Sequence, residues 1–267
     1  MNNYTFATLL STASYIPGVL TLYRSLQRYG KTKYPFICVC SLNIRNDDID
    51  LLQKEGVDCI RLNKSMIDGI QMPNRNGNYK HWNYTFDKLL LWGMIEYEKI
   101  VFLDSDMFVM DNVDDLFDYP DFSAVQAGFL QNNMWNRLNS GMIVVVPDMD
   151  TYKKLAMQLQ VTVTAFVKSD KSVGDQDVLN DFYPQWISRK ELHLPEGYNL
   201  FFKYLSLYHN LYGFCYGRDI KIVHFVGSHK PWHDGKAKQL LMSMKYLLQN
   251  RYGLMAYLKY IYQLSKK

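Results

Sequence analysis

Apolar residues along this chain recur at two spacings, and each switch between them marks the edge of an element. Tyr4–Leu10 is a short, mostly apolar run ending in the hydroxyls of Ser11 and Thr12, the pattern of a strand that feeds a polar loop. Over 15–29 the residues Val19, Leu20, Leu22, Tyr23 and Leu26 fall at helical spacing, with Pro17 suited to the first turn and Gly30 to the stop. Phe36–Cys40 reads as a second strand, 47–54 as a helix capped by Asn46 or Asp47 and stopped by Gly56, and 57–61 as a third strand. This βαβαβ order is that of a nucleotide-binding half-sheet.

A polar stretch over 63–83, with Pro73, Asn74, Asn76, Gly77 and Asn78, is long for a connection and reads as a functional loop. A helix is expected over 85–97, then the apolar run Ile100, Val101, Phe102 and Leu103 of a strand buried on both faces. Residues 123–127 and 142–146 predict two more strands, the second preceded by Asn139-Ser140-Gly141. Met149–Lys168 predicts a helix, and another starts near Asp175. A late strand over 221–225 is followed by a loop and then by helix from Lys236 onward, broken near Gly253.

At 267 residues, 48% hydrophobic and 21% charged, the chain has the make-up of one large α/β domain with a small appendage, here 1–235 and 236–267. The net charge of +4 is too mild to imply nucleic acid, but its distribution is uneven. Residues 236–267 carry seven Lys or Arg and no acid, so +4 overall against +7 there leaves −3 on residues 1–235. Cys38, Cys40, Cys59 and Cys215 show no Cys-x-x-Cys spacing and read as buried free thiols of a reducing compartment. Neither a signal peptide nor an apolar run of membrane-spanning length is present, so a cytoplasmic location is expected.

Candidate chemistry centres on Asp104-Ser105-Asp106, two carboxylates at the carboxyl end of a buried strand, where open α/β sheets bind ligands. Such a pair can share one hard divalent cation, although an acidic turn uses the same residues. Asn139-Ser140-Gly141 permits a polar ligand close to backbone, as would a plain turn. Asp175 opens a helix in Gly174-Asp175-Gln176-Asp177, where an N-cap role competes with a ligand-facing one. His224 ends a strand as a candidate third metal ligand, and Gly227 and Lys230 follow it with room for backbone approach and a charge for phosphate. Lys88, judged by position alone, is expected in solvent.

The motifs TFATLLSTASY, FDKLLLW, KIVFLDSDMFVMDNVDDLF, LNSGM, GDQDVLNDF, LPEGYNL and HFVGSHKPW stand in that order between Thr5 and Trp232. In this they resemble the glycogenin-type retaining glycosyltransferases of family 8, which include galactinol synthases. The resemblance implies a GT-A fold, an α/β architecture with a Rossmann-like mixed sheet flanked by helices and a short helical C-terminal appendage. It implies a UDP-sugar donor and Mn²⁺, with Mg²⁺ as a substitute, held by Asp104, Asp106 and His224. Leu9, Ser11, Thr12 and Tyr15 match the uracil and ribose positions, and Arg75 and Lys88 match basic positions near the sugar phosphate and donor sugar. Ser105 lies between the metal carboxylates, and Asn139 and Ser140 face the donor sugar. Asp175 and Gln176 match positions beside the anomeric centre, and Gly227 and Lys230 match the diphosphate clamp. Catalytic parts fall to Asp175, Lys88 and Gln176, with Asp175 as nucleophile or as electrostatic support.

Glycogenins glucosylate a tyrosine of their own chain, whereas the matching position here is Ser206, so a separate acceptor is expected: a carbohydrate, a polyol or a lipid-linked glycan. A glucose or galactose donor and a homodimer complete the expectation. Two other classes share part of the pattern. Haloacid-dehalogenase phosphatases place Asp-x-Asp after a strand, but usually the first strand, with x-Thr or x-Val following where Met107-Phe108 stands here. A module that only binds a nucleotide sugar would lack Asp175 or a metal ligand. The 239–264 stretch carries apolar residues three and four apart beside lysines, a helix that either docks on the domain or lies on the inner face of an anionic membrane.

Overall fold

The computed structural model describes residues 3–70, 77–128, 137–168 and 173–266. In chain order its elements are β1 (Tyr4–Leu10), α1 (Ile16–Ser25), β2 (Phe36–Cys40), α2 (Asn46–Lys54), β3 (Asp58–Arg61), β4 (Lys99–Leu103), β5 (Met107–Val109), β6 (Ala124–Gln126), β7 (Leu138–Val145), α3 (Met149–Lys168), α4 (Asp175–Phe182), β8 (Leu200–Phe201), α5 (Leu205–Tyr212), β9 (Ile222–His224), α6 (Lys236–Gln249) and α7 (Arg251–Leu264). Segments of 3₁₀ helix join them, among them Gly77–Gly93. The chain divides into two compact units: Met1–Ala13, Tyr34–Leu103 and Leu116–Leu194 in the first, and Ser14–Lys33, Asp104–Asp115 and Pro195–Lys267 in the second.

The first unit is built on a sheet of order β3-β2-β1-β4-β7-β6 among the described residues. β3, β2, β1 and β4 run parallel, and β7 pairs antiparallel with both β4 and β6. The expected Rossmann-like mixed sheet flanked by helices is therefore present. One face carries Ala7, Leu9, Ile37, Val39, Phe102 and Ile143 into a core shared with Leu89, Trp92, Leu155 and Val178. Thr8 Oγ1 donates to the Leu103 carbonyl at 2.7 Å, which fixes the last carbonyl of β4.

The second unit holds the small sheet β5-β9-β8, with β9 antiparallel to β5 and parallel to β8. α1 lies tightly against the turn after β4: a Cβ on Gly18 would sit 2.5 Å from the Ser105 carbonyl oxygen and 2.9 Å from the Trp232 ring. α7 is a core helix of this unit. Its Tyr260 ring lies 5.5 Å from Phe108 and 4.7 Å from Phe225, and Arg24 Nη1 donates to the carbonyls of Gln263 and Lys266 near the helix end. α6, in contrast, has no buried residue.

Several expectations move by a few residues, each for a physical reason. Asn139-Ser140-Gly141 lies inside β7, because the ladder starts at Leu138. The segment before β4 is a 3₁₀ run ending at Gly93, and Phe86–Trp92 is buried on every side, so no amphipathic period sets its type. α2 begins at Asn46 with Arg45 as its cap residue and no side-chain cap bond. The first helix widens into π turns over Leu26–Gly30. Lys31 takes the left-handed turn at φ 47°, while Gly30 allows close approach to Val109, 3.3 Å from a would-be Cβ. Cys38 and Cys40 are buried as expected, whereas Cys59 and Cys215 are half-buried.

The break between the last two helices is Asn250 rather than Gly253. Asn250 is buried and fully used: Oδ1 accepts from Ser206 N, Ser206 Oγ and Gly253 N at 3.2, 2.7 and 3.2 Å, and Nδ2 donates to the Phe202 carbonyl at 3.0 Å. Gly253 is needed because a Cβ there would lie 2.3 Å from this side chain. Asn250→Ala therefore removes a helix cap and leaves buried donors unpaired, a loss of about 2–4 kcal/mol. Thermal unfolding checks this, and Asn250→Asp, which keeps the acceptor, should fall between the two; an Ala variant as stable as the parent would contradict it.

Candidate active site and metal centre

Asp104 directly follows β4, and the turn it opens is closed by the Met107 N–H donating to the Asp104 carbonyl at 3.0 Å. Asp106 then meets the end of β9, where the Phe225 N–H donates to its carbonyl at 3.0 Å. Register brings Met107 opposite His224, so the carboxylates of this turn and the imidazole converge. One ligand atom from each of Asp104, Asp106 and His224 lies within 4.8 Å of the others. His224 Nε2 is 2.9 Å from Asp106 Oδ1 and 3.9 Å from Asp104 Oδ2.

The donor set fits a hard or borderline divalent cation. Asn199 Oδ1 lies 2.8 Å from His224 Nδ1 and holds the ring with Nε2 toward the carboxylates. Two carboxylates and an imidazole nitrogen gathered this closely are a donor set that a divalent cation could share, and two oxygens with one imidazole suit Mn²⁺ or Mg²⁺ better than a thiophilic ion. Asn199 belongs to the LPEGYNL motif, but its part as the partner that orients His224 is visible only in three dimensions.

Lys230 joins this centre from the loop after β9. It is 2% exposed, its ammonium is ion-paired with Asp106 Oδ2, and it also donates to the Phe225 carbonyl at 2.8 Å. Burial alone would push the Asp106 carboxyl up; the charges of His224 and Lys230 and their hydrogen bonds outweigh it and hold it well below the usual carboxylate range. The Tyr15 ring stands 5.8 Å from the Lys230 ammonium and edge-on to Trp232 at 5.3 Å, and burial with the nearby Asp106 and Asp104 charges pushes its hydroxyl up. Gly227 adopts φ 111°, where a side chain is strained, and is exposed. Ser105 is buried with its carbonyl against Gly18.

A second polar cluster lies in the first unit. Lys88, expected in solvent, is 4% exposed: Nζ pairs with Asp175 Oδ2 at 2.8 Å, donates to the Ser140 carbonyl at 3.0 Å and lies 4.6 Å from the centre of the Phe102 ring. The stretch Phe86–Trp92 around it is buried throughout, which position in sequence does not reveal. Asp175 is the first residue of α4, not its cap. Gly174 is the cap residue, and Asp177 Oδ2 accepts from the Gly174 N–H at 2.8 Å, so the helix start is served without Asp175. Gln176 Oε1 accepts from Ser140 N at 3.3 Å, and Asn139 Oδ1 accepts from Gly141 N at 2.8 Å. Leu9 is a core residue of β1, with Ser11 and Thr12 half-buried just beyond it. Arg75 lies outside the described residues.

A buried carboxylate held by His224 and Lys230 predicts a specific stability pattern. In the metal-free protein Asp106→Asn leaves Lys230 buried without its counter-charge, a loss of about 3 kcal/mol at neutral pH. With its folded pKa depressed, Asp106 binds fewer protons folded than unfolded, so its contribution is complete above the ordinary carboxylate pKa near 4 and is lost as pH falls below it. Urea unfolding in chelator should therefore show the gap between parent and variant narrowing from pH 6 to pH 3. A gap constant over that range would refute the assignment.

A model described as glycosyl transferase family 8 matches residues 7–236. Over 246 residues the chain is 35% identical to glycogenin-1 of Caenorhabditis elegans, an alignment covering 86% of this chain and 51% of that protein. It is 29% identical over 237 residues to a putative UDP-glucuronate:xylan alpha-glucuronosyltransferase 3 of Arabidopsis thaliana, covering 85% of this chain and 34% of that one. The chain thus spans about half or less of these relatives' lengths. Among solved structures, the galactosyltransferase LgtC in complex with donor and acceptor sugar analogues superposes with a TM-score of 0.63 at 15% identity, over 100% of this chain and 97% of that one, a likeness of fold.

Proposed function

Because the chain belongs to glycosyl transferase family 8, we propose that it is a GT-A enzyme moving a hexosyl group, glucose or galactose, from a UDP-sugar to a hydroxyl acceptor with retention of configuration. The observation that carries this reading is the convergence of Asp104, Asp106 and an Asn199-held His224 directly after β4. These three would hold Mn²⁺, which when bound neutralises the diphosphate and polarises it as a leaving group.

This chain's own residues supply the rest. Lys230 exchanges its pairing with Asp106 for the departing diphosphate, and Gly227 lets the loop backbone follow it. Leu9, Ser11, Thr12 and Tyr15 receive uracil and ribose, and Asn139, Ser140 and Gln176 the donor sugar. Asp175 would stand by the anomeric carbon, where positive charge develops, and Lys88 holds its carboxylate in direction. The acceptor is a separate molecule, a carbohydrate, polyol or lipid-linked glycan. Ser206, at the position where glycogenins carry their own acceptor, supports this: its Oγ donates to Asn250 and accepts from the Tyr252 N–H at 3.1 Å, so the hydroxyl is occupied in packing. Cysteines without a disulfide fit the reducing cytoplasm.

A panel of UDP-sugars with Mn²⁺, scored by UDP release with water as acceptor, identifies the donor. Turnover should vanish in excess chelator and return with Mn²⁺ more fully than with Mg²⁺. Asp175→Asn should lower turnover by about 10²–10³-fold while UDP affinity changes little, since its charge is needed mainly in the transition state. Full activity in chelator would refute the metal role, and equal losses in turnover and affinity would refute the role of Asp175. Donor binding without turnover, even with acceptors supplied, would make the chain a binding module.

A further inference from the structure

The C-terminal 32 residues divide into two helices with opposite surroundings. α7 is held in the second unit by Tyr257 and Tyr260, both buried, and by its Asn250 cap. α6 touches that unit with one side only, through half-buried Gln239, Met242, Ser243 and Tyr246. Tyr246 packs edge-on against Phe202 and Tyr257, each at 4.9 Å, and Gln239 Nε2 donates to the Asp234 carbonyl at 2.9 Å.

The opposite side of α6 is apolar and uncovered. Leu240, Leu241, Met244, Leu247 and Leu248 are 65%, 64%, 59%, 52% and 86% exposed. At 100° per residue these five fall on one stripe along a helix about 21 Å long. Lys236 sits one turn before Leu240, and Lys245 one turn after Leu241, so exposed lysines flank the stripe on both sides.

We propose that this face of α6 docks on an anionic lipid surface, with the helix lying in the plane of the interface. Three observations select that occupant. Residues 236–267 carry +7 with no acid, which complements acidic headgroups; two copies meeting here would set +7 against +7 with no carboxylate to relieve it. The stripe consists of Leu and Met, flexible aliphatic chains suited to a fluid apolar layer, without the Trp, Tyr or Arg anchors that dominate protein interfaces. Long lysine stems beside the stripe can lie along the acyl boundary while their ammonium groups reach the headgroups. Among the described residues no helix is long and apolar enough to cross a membrane, so the contact is peripheral. α6 begins directly after the loop that carries Lys230, so docking would bring the metal centre's own unit to the lipid surface, as a lipid-linked acceptor requires.

Flotation of the full chain with phosphatidylglycerol–phosphatidylcholine vesicles, against pure phosphatidylcholine, tests this at low and high salt. The parent should bind the anionic vesicles at least tenfold more tightly than the neutral ones and lose that preference at high salt. Leu241→Glu with Leu248→Glu should abolish binding with the melting temperature and UDP release in solution unchanged. Lys236→Glu with Lys245→Glu should keep the stripe but lose the preference for anionic lipid. Absence of parent binding to anionic vesicles at low salt, or equal binding by the leucine variant, overturns the proposal. So does a parent dimer, dissociated by the leucine substitutions, that ignores vesicles. Vesicle binding needs no sugar nucleotide, so its failure leaves the transferase reading untouched.

Discussion

A single buried carboxylate, that of Asp106, sets the terms for the second unit. An anion this enclosed is tolerable only if polar partners meet it, and the chain supplies two from sequence positions more than a hundred residues away: His224 at the end of β9 and the cationic Lys230 in the loop beyond. Meeting that requirement fixes the pairing of β5 with β9 and the course of the loop after it. Tyr15 and Trp232 then shield the ammonium from one side. Electrostatic demand and fold are here one constraint. A group arranged this way is stable in the resting protein and still able to change partners, because a divalent cation held here would compete with Lys230 for the same oxygens.

The same logic, at smaller scale, governs the cluster around Lys88. A lysine buried among Phe102, the Ser140 carbonyl and Asp175 has its charge matched by an anion held close. The two groups thereby fix each other's direction, and Asp175 is released from the helix-start duties that Gly174 and Asp177 share. A carboxylate with one firm cationic partner and no structural task of its own is suited to answering charge that appears only during a reaction.

Much of this was legible in the sequence, for reasons that can be named. The strands β1, β2 and β4 announce themselves as short apolar runs, and α3 and α4 by their spacing, because burial on one side imposes a period. Asp104, Asp106 and His224 could be grouped because their motifs recur together in a known order. What escaped was whatever depends on a distant neighbour. Lys88 read as solvated because enclosure by other segments leaves no mark on local pattern. Asn199 lay in a quoted motif, yet its hydrogen bond to His224 joins residues 25 apart in sequence. Asn139 to Gly141 read as a polar stretch before a strand, whereas pairing of Asn139 with Val125 in β6 draws them into β7.

The C-terminal helices show the limit of periodicity itself. α6 and α7 both combine leucine, tyrosine and lysine in comparable apolar stripes, so pattern alone treats them as one amphipathic segment. Asn250 separates them. Its backbone closes one helix, and its side chain starts the next and ties it to Ser206 and Phe202; the second stripe lies in the unit's core and the first stays outside. A period of 3.6 says that one face of a helix is apolar; only the cap says which way that face points. The stripe that finds a protein partner becomes structure, and the stripe that does not keeps its full capacity to bury apolar surface elsewhere. For a segment carrying +7 with no acid, that capacity is directed by charge toward an acidic surface.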